Sequence, residues 1–188
     1  RSRWYWRDER VARVQRTWRV AYQPLTSNWR VGFGGFNQSL PTLAEALAAR
    51  GTKTTLFYGG RTSRDIYYEE FFTALGVRLI VTTEDGSKGE RGRVTVPLER
   101  ELVADVGRAV TIYACGPTPM MRAVATIADF HGQPCDVSLE QVMGCGMGGC
   151  YSCVVLTRQV GAPPHFVRSC LEGPVFEAGR IVWEALAH

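Results

Sequence analysis

No run of apolar residues in this 188-residue chain approaches the roughly 20 that a membrane helix needs. The opening RSRWYWRDER lacks the apolar core of a secretory signal. Both absences point to a cytoplasmic protein with no membrane partner. Nothing repeats internally, and no low-complexity linker divides the chain. The first glycine-rich turn, VGFGGFNQSLPTL (31–43), is not the G-x-G-x-x-G of a dinucleotide fingerprint. The chain starts at Arg1 rather than Met, and reads as a fragment or the ordered part of something longer. Residues 1–30 carry eight arginines against Asp8 and Glu9, so the net charge of +4 is concentrated there. No nucleic-acid recognition motif accompanies that charge, and we read 1–30 as a basic arm or the remnant of a preceding domain, with no nucleic-acid partner.

What is present begins with alternation. TKTTLFYGG, VRLIVTTED and AVTIYACGP are rich in β-branched and aromatic residues and end in turn chemistry, as buried strands do. Before, between and after them, LPTLAEALAARG, DIYYEEFFTALG and TPMMRAVATIADFHG have helical spacing and close on glycine. Strand and helix in repetition predict an α/β domain over 31–134, a parallel sheet with helices on its faces. Residues 135–188 form a smaller module packed against it.

Ligands of such sheets sit beyond the carboxyl ends of the strands. That edge would carry YGGRTSRD (58–65), TTEDGSKGERG (82–92) and ACGPTPMM (114–121). Thr118 is placed to cap the last helix, with Pro119 in its first turn and free backbone N–H groups over Gly116. Gly59, Gly60 and Gly116 either let a ligand approach the backbone or simply make turns.

Six cysteines are present, four of them in the last 44 residues. Cys145-x4-Cys150-x2-Cys153, followed by Cys170, has the plant-type [2Fe-2S] spacing, and the intervening glycines free backbone N–H groups to turn toward sulfur. A four-cysteine zinc site is the competing reading, less suited because zinc ribbons use paired C-x2-C knuckles. Disulfides come third in a cytosolic chain. Cys135 reads as a buried structural thiol, and Cys115 either meets a ligand or packs. A nicotinamide delivers two electrons as hydride and a [2Fe-2S] cluster takes one at a time, so NAD in the sheet domain and a cluster in the tail together imply a flavin between them. No segment supplies a flavin-binding barrel.

YACGPTPMMRAV, DVSLEQVMGCGMGGCYSCVV and VRSCLEGPVF, in that order, resemble the C-terminal part of the electron-transfer subunit of NAD-dependent (class 1B) dihydroorotate dehydrogenase, in the ferredoxin-NADP reductase superfamily. The resemblance covers about Val31 to Trp183. It implies a nucleotide-binding domain of ferredoxin-NADP reductase type with a small C-terminal iron-sulfur module, and the cofactors NAD, FAD and [2Fe-2S]. Carried over, Cys145, Cys150, Cys153 and Cys170 would be the cluster ligands. Cys115, Gly116, Pro117 and Met120 would lie against the nicotinamide and flavin rings. Gly59, Gly60, Arg61 and Asp65, with Glu84 and Asp85, would meet the adenosine half, and Gly34 and Gly35 the pyrophosphate.

The chain departs from the family in two places. The loop at 34–41 lacks the usual glycine and early proline, and any flavin barrel is missing or reduced to residues 1–30. Either the chain is truncated or another polypeptide helps hold the flavin. The expected role is an oxidoreductase subunit passing electrons between NAD(H), FAD and the cluster, to or from a catalytic flavoprotein of dihydroorotate dehydrogenase type in a hetero-oligomer, within pyrimidine biosynthesis. The alternatives are the reductase subunit of a sulfhydrogenase or sulfite reductase complex and, from another class, a zinc-stabilised interaction module without catalysis.

Overall fold

The structure is a computed structural model that describes residues 17–22, 39–104 and 109–186. Gly34 and Gly35 lie outside the described residues. Six strands run parallel: β1 (Thr17–Tyr22), β2 (Lys53–Gly60), β3 (Arg78–Thr83), β4 (Glu90–Arg91), β5 (Thr111–Cys115) and β6 (Cys135–Ser138). Two further strands, β7 (Val154–Gln159) and β8 (Ala162–Arg168), form an antiparallel hairpin. The last, β9 (Val175–Glu177), closes the main sheet antiparallel to β6, giving the order β4-β3-β2-β1-β5-β6-β9. Among the described residues the helices are α1 (Ser39–Ala49), α2 (Glu69–Ala74), α3 (Thr95–Ala104) and α4 (Thr118–Phe130), with a short helix at Ser169–Glu172 after β8.

Alternation along the strands sorts side chains onto two faces, as a pleated strand requires. Phe57, Ile112 and Ala114 join one buried cluster with Leu98 and Val124. Their strand neighbours Leu56, Tyr58, Tyr113 and Cys115 join a second, with Leu43, Leu47 and Phe72. Both faces are covered, which is the condition for a parallel sheet. Each fully buried side chain of this size contributes about 2 kcal/mol on removal from water.

The ends of α1, α2 and α4 repeat one closure. Thr52, Val77 and Gln133 donate backbone N–H to Leu47, Phe72 and Ala128, while Gly51, Gly76 and Gly132 donate to Ala48, Thr73 and Asp129. Those three glycines have φ of 66°, 73° and 63°. This double bond pattern satisfies the last helical carbonyls and needs a left-handed residue, which is why the helical segments close on glycine.

Within residues 1–30, Thr17–Tyr22 pairs with both β2 and β5 at the centre of the sheet. Within 135–188, Cys135–Ser138 and Val175–Glu177 are strands of the main sheet, and Val155, Val167 and Ile181 pack in its core. Strand pairing is decided by long-range ladders that local composition does not display. Contrary to expectation, Thr118 does not cap α4. The helix begins at that residue with Pro117 before it, no side-chain cap is formed, and Met121 donates to the Pro117 carbonyl at 3.0 Å.

Candidate iron-sulfur loop and dinucleotide edge

The carboxyl ends of the parallel strands line up, Gly60 beside Thr83, Tyr22 beside Cys115, and Cys115 beside Ser138. At the β2 end a tight turn follows, organised by Asp65. Its Oδ2 accepts backbone N–H from Arg61 at 3.0 Å and Thr62 at 2.9 Å, while the Thr62 hydroxyl accepts from Arg64 N–H at 3.2 Å. This reciprocal capping box occupies the carboxylate with its own loop. Buried Tyr58 ties the same turn from below, accepting from Tyr67 N–H at 2.9 Å and donating to the Asp65 carbonyl at 3.4 Å. Burial pushes the Tyr58 phenol up to about 12.

The β3 loop is joined to this turn. Asp85 accepts from the Ser87 hydroxyl at 2.7 Å, and Ser63 N–H donates to the same hydroxyl oxygen at 2.7 Å. The Ser87 hydroxyl and amide hold the Asp85 carboxyl below its usual range. Glu84 and Asp85 N–H donate at 3.1 Å to the Gly60 and Arg61 carbonyls. The residues expected around the adenosine half are therefore brought together on adjacent strand ends, with Arg61, Glu84 and Asp85 exposed. Gly59 and Gly60 serve internal packing. A Cβ on Gly59 would lie 3.0 Å from Val94 Cβ, and one on Gly60 would lie 2.9 Å from Asp65 Cβ.

At the β5 end, Cys115 is buried on the face shared with Tyr113, and Gly116 takes φ 145° to start the turn into α4. Met120, expected against the rings, is buried in the core beneath the helix, because α4 turns Met120, Met121, Val124 and Ala128 inward at helical spacing. Pro117 is partly exposed at the helix start.

The cysteine loop has little regular structure, and its order comes from side chains and glycine backbone. Cys145 Sγ accepts Gly149 N–H at 3.2 Å. Backbone N–H of Met147, with the Cys150 thiol and the amides of Gly149 and Cys150, brings the Cys145 thiol down to about 6. Cys153 and Cys170 form a second linked pair. The Cys170 amide holds the Cys153 thiol below its ordinary value, while the bond with Cys153 raises that of Cys170. Ser169 N–H to the Cys153 carbonyl, 2.9 Å, extends the hairpin ladder to the neighbours of Val154 and Arg168. Ser152 braces the loop, its hydroxyl oxygen accepting Gly144 N–H at 3.2 Å and lying 2.7 Å from Cys150 Sγ.

Thiols in two pairs, Cys145 with Cys150 and Cys153 with Cys170, suit a binuclear cluster in which each iron takes two. None of the six cysteines is in a disulfide. Burial pushes Cys135 up to about 12, in keeping with a structural thiol.

Sequence reasoning missed Arg168. Its Nη1 donates to the Gly148 carbonyl at 2.5 Å, and its guanidinium lies 4.9 Å from the Tyr151 ring centroid. The signal available was a single arginine two positions before Cys170.

Residues 31–126 match the model of the oxidoreductase NAD-binding domain. The chain belongs to this family, and its parallel sheet with the carboxyl-edge loops is of ferredoxin-NADP reductase type. Residues 140–182 match the iron-sulfur cluster binding domain of dihydroorotate dehydrogenase B, and residues 1–56 match a domain of unknown function (DUF4390). Among curated relatives, the dihydroorotate dehydrogenase B (NAD(+)) electron transfer subunit of Bacillus caldolyticus is 42% identical over 153 residues, 81% of this chain and 56% of the relative. That of Desulforamulus reducens is 35% identical over 155 residues, 82% of this chain and 58% of the relative. The chain thus spans little more than half the length of the curated relatives it matches. A solved structure described as giving insights into flavin-based electron bifurcation, an NADH-dependent reduced ferredoxin-NADP oxidoreductase, superposes with a TM-score of 0.73 at 28% identity, over 92% of this chain and 56% of that one. Among the described residues no helix is long and apolar enough to cross a membrane.

Proposed function

We propose that the chain is the NAD-binding and iron-sulfur part of an electron-transfer subunit that works with a catalytic flavoprotein of dihydroorotate dehydrogenase type. The observation that carries this is the shared core. Val155 and Val167 of the hairpin that bears Cys153 and Cys170 pack with Ile112 and Ala114 of the strand that ends at Cys115. The dinucleotide edge and the thiol loop are thus anchored to one shared buried core. When bound, NAD would supply hydride transfer, FAD the step between two-electron and one-electron chemistry, and [2Fe-2S] single-electron transfer.

The chain's own residues bind and orient. Cys145, Cys150, Cys153 and Cys170 would ligate the cluster, with loop amides turned toward sulfur. Gly116 and the uncapped start of α4 would accept the nicotinamide end, beside the buried Cys115. Arg61, Glu84 and Asp85 would border the adenosine end, on a platform that Asp65, Ser63 and Ser87 hold in place. Gly34 and Gly35 complete the reading at the pyrophosphate. Four ligand thiols kept unoxidised call for a reducing, cytoplasmic setting.

The test is co-purification of the native complex, iron and sulfide analysis, and an assay of dihydroorotate-dependent NAD reduction. Reduction of NAD by the flavin-replete, iron-loaded complex is the expected result. A loaded complex that leaves NAD unreduced with dihydroorotate would end the specific assignment.

A further inference from the structure

The contact between Arg168 and the cysteine loop reaches further than packing. The carbonyl it bonds, Gly148 O, and the amide that points at Cys145 Sγ, Gly149 N–H, belong to one peptide unit. A peptide is planar and trans, so its oxygen and its amide hydrogen point in opposite directions. Fixing the oxygen fixes the direction of the hydrogen. A cation on the oxygen also polarises the unit and strengthens the bond its N–H makes on the far side. Gly148 is buried with φ 88°, and a Cβ there would lie 2.8 Å from Leu171 Cδ1, so the position favours glycine. The Tyr151 ring, its centroid 4.9 Å from the guanidinium carbon, adds a cation–π contact that holds the Arg168 head over the loop.

We infer that Arg168 is a positioning residue for the iron-sulfur centre, acting through the Gly148–Gly149 peptide on the sulfur of Cys145 and raising the potential of the cluster bound there. A hydrogen bond to a ligand sulfur stabilises the more negative, reduced state, and so does a nearby cation. The inference rests on the reading of Cys145 as a cluster ligand.

The experiment is a potentiometric titration of the iron-loaded full chain, followed by visible absorption and EPR, for wild type, Arg168→Gln and Arg168→Lys. Iron and sulfide analysis comes first, and a wild-type chain that binds no [2Fe-2S] cluster would overturn the cluster reading itself and the inference with it. Given a loaded wild type, the midpoint potential should fall in Arg168→Gln, with a changed EPR spectrum. In Arg168→Lys it should fall less, since the charge remains but the fork and the ring stack are lost. A fully loaded Arg168→Gln protein with wild-type potential and spectrum would overturn the inference while leaving the cluster. Should the glutamine variant fail to load, Arg168→Lys decides: a lowered potential supports the role, and wild-type values overturn it.

Discussion

Two pairs of glycines, Gly59 and Gly60 in the sheet and Gly146 and Gly149 in the cysteine loop, are used in opposite ways. In the parallel sheet, Gly59 and Gly60 let β2 close against Val94 and against the turn at Asp65, so the missing side chain is filled by protein. In the cysteine loop, Gly146 and Gly149 have open space where a Cβ would sit, and the amide of Gly149 is spent on a sulfur. The first use builds a scaffold that is stable through burial. The second builds a backbone whose donors await a ligand with negative charge. Composition alone does not separate the two, because both appear as short glycine-rich stretches.

The contrast can be broken most directly at the thiols. Cys153→Ala removes one of four sulfurs from a buried position, and the expected outcome is loss of bound iron, sulfide and visible absorption. The far-UV circular dichroism of the sheet should remain. Collapse of the whole fold in this variant would show that scaffold and loop are not separable.

A smaller effect is expected from the scaffold glycine. Gly60→Ala forces a methyl to within 2.9 Å of Asp65 Cβ and 3.1 Å of Ile66 Cδ1, a strain of about 1–3 kcal/mol. Chemical denaturation should show that loss, with cluster content unchanged. The smallest effects are in titration, with opposite signs in the two regions. Tyr58, its phenol raised to about 12 by burial, stabilises the fold fully below its ordinary value of 10, and that contribution fades as pH rises toward 12. In metal-free protein Cys145 behaves the other way. Its thiolate contribution is complete above the ordinary 9 and is lost as pH falls through about 6. Ultraviolet titration of tyrosine and the pH dependence of thiol alkylation follow the two, and alkylation of Cys145 that remains half-maximal near 9 would contradict the amide cradle.

Much of the fold was legible where local chemistry and tertiary structure agree. Strands β2, β3 and β5 and helices α1 and α4 fall on the β-rich runs and the glycine-closed helical segments. Strand β1 was hidden because TWRVAY lies among arginines, and only its pairing on both sides makes it central. Helix α3, which opens as Thr-Val-Pro, was not among the helical segments read, and is held by burial of Pro97, Leu98 and Leu102. The iron-sulfur module matched over residues 140–182 was legible because cysteine spacing is a local property. The occupations of Asp65 and Met120 were not, since the capping box and the core contacts appear only after the chain has folded back.

The pairing of Thr17–Tyr22 has a consequence for assembly. The first described strand is the keystone of the sheet, and it is made before either of its neighbours. On one side β2, β3 and β4 add in order, and on the other β5, β6 and β9. A growing chain that keeps this segment extended can lay down the sheet from the inside outward, without threading a late strand between two finished ones. Without it, the sheet would divide into two three-stranded halves, each with a raw inner edge facing the gap.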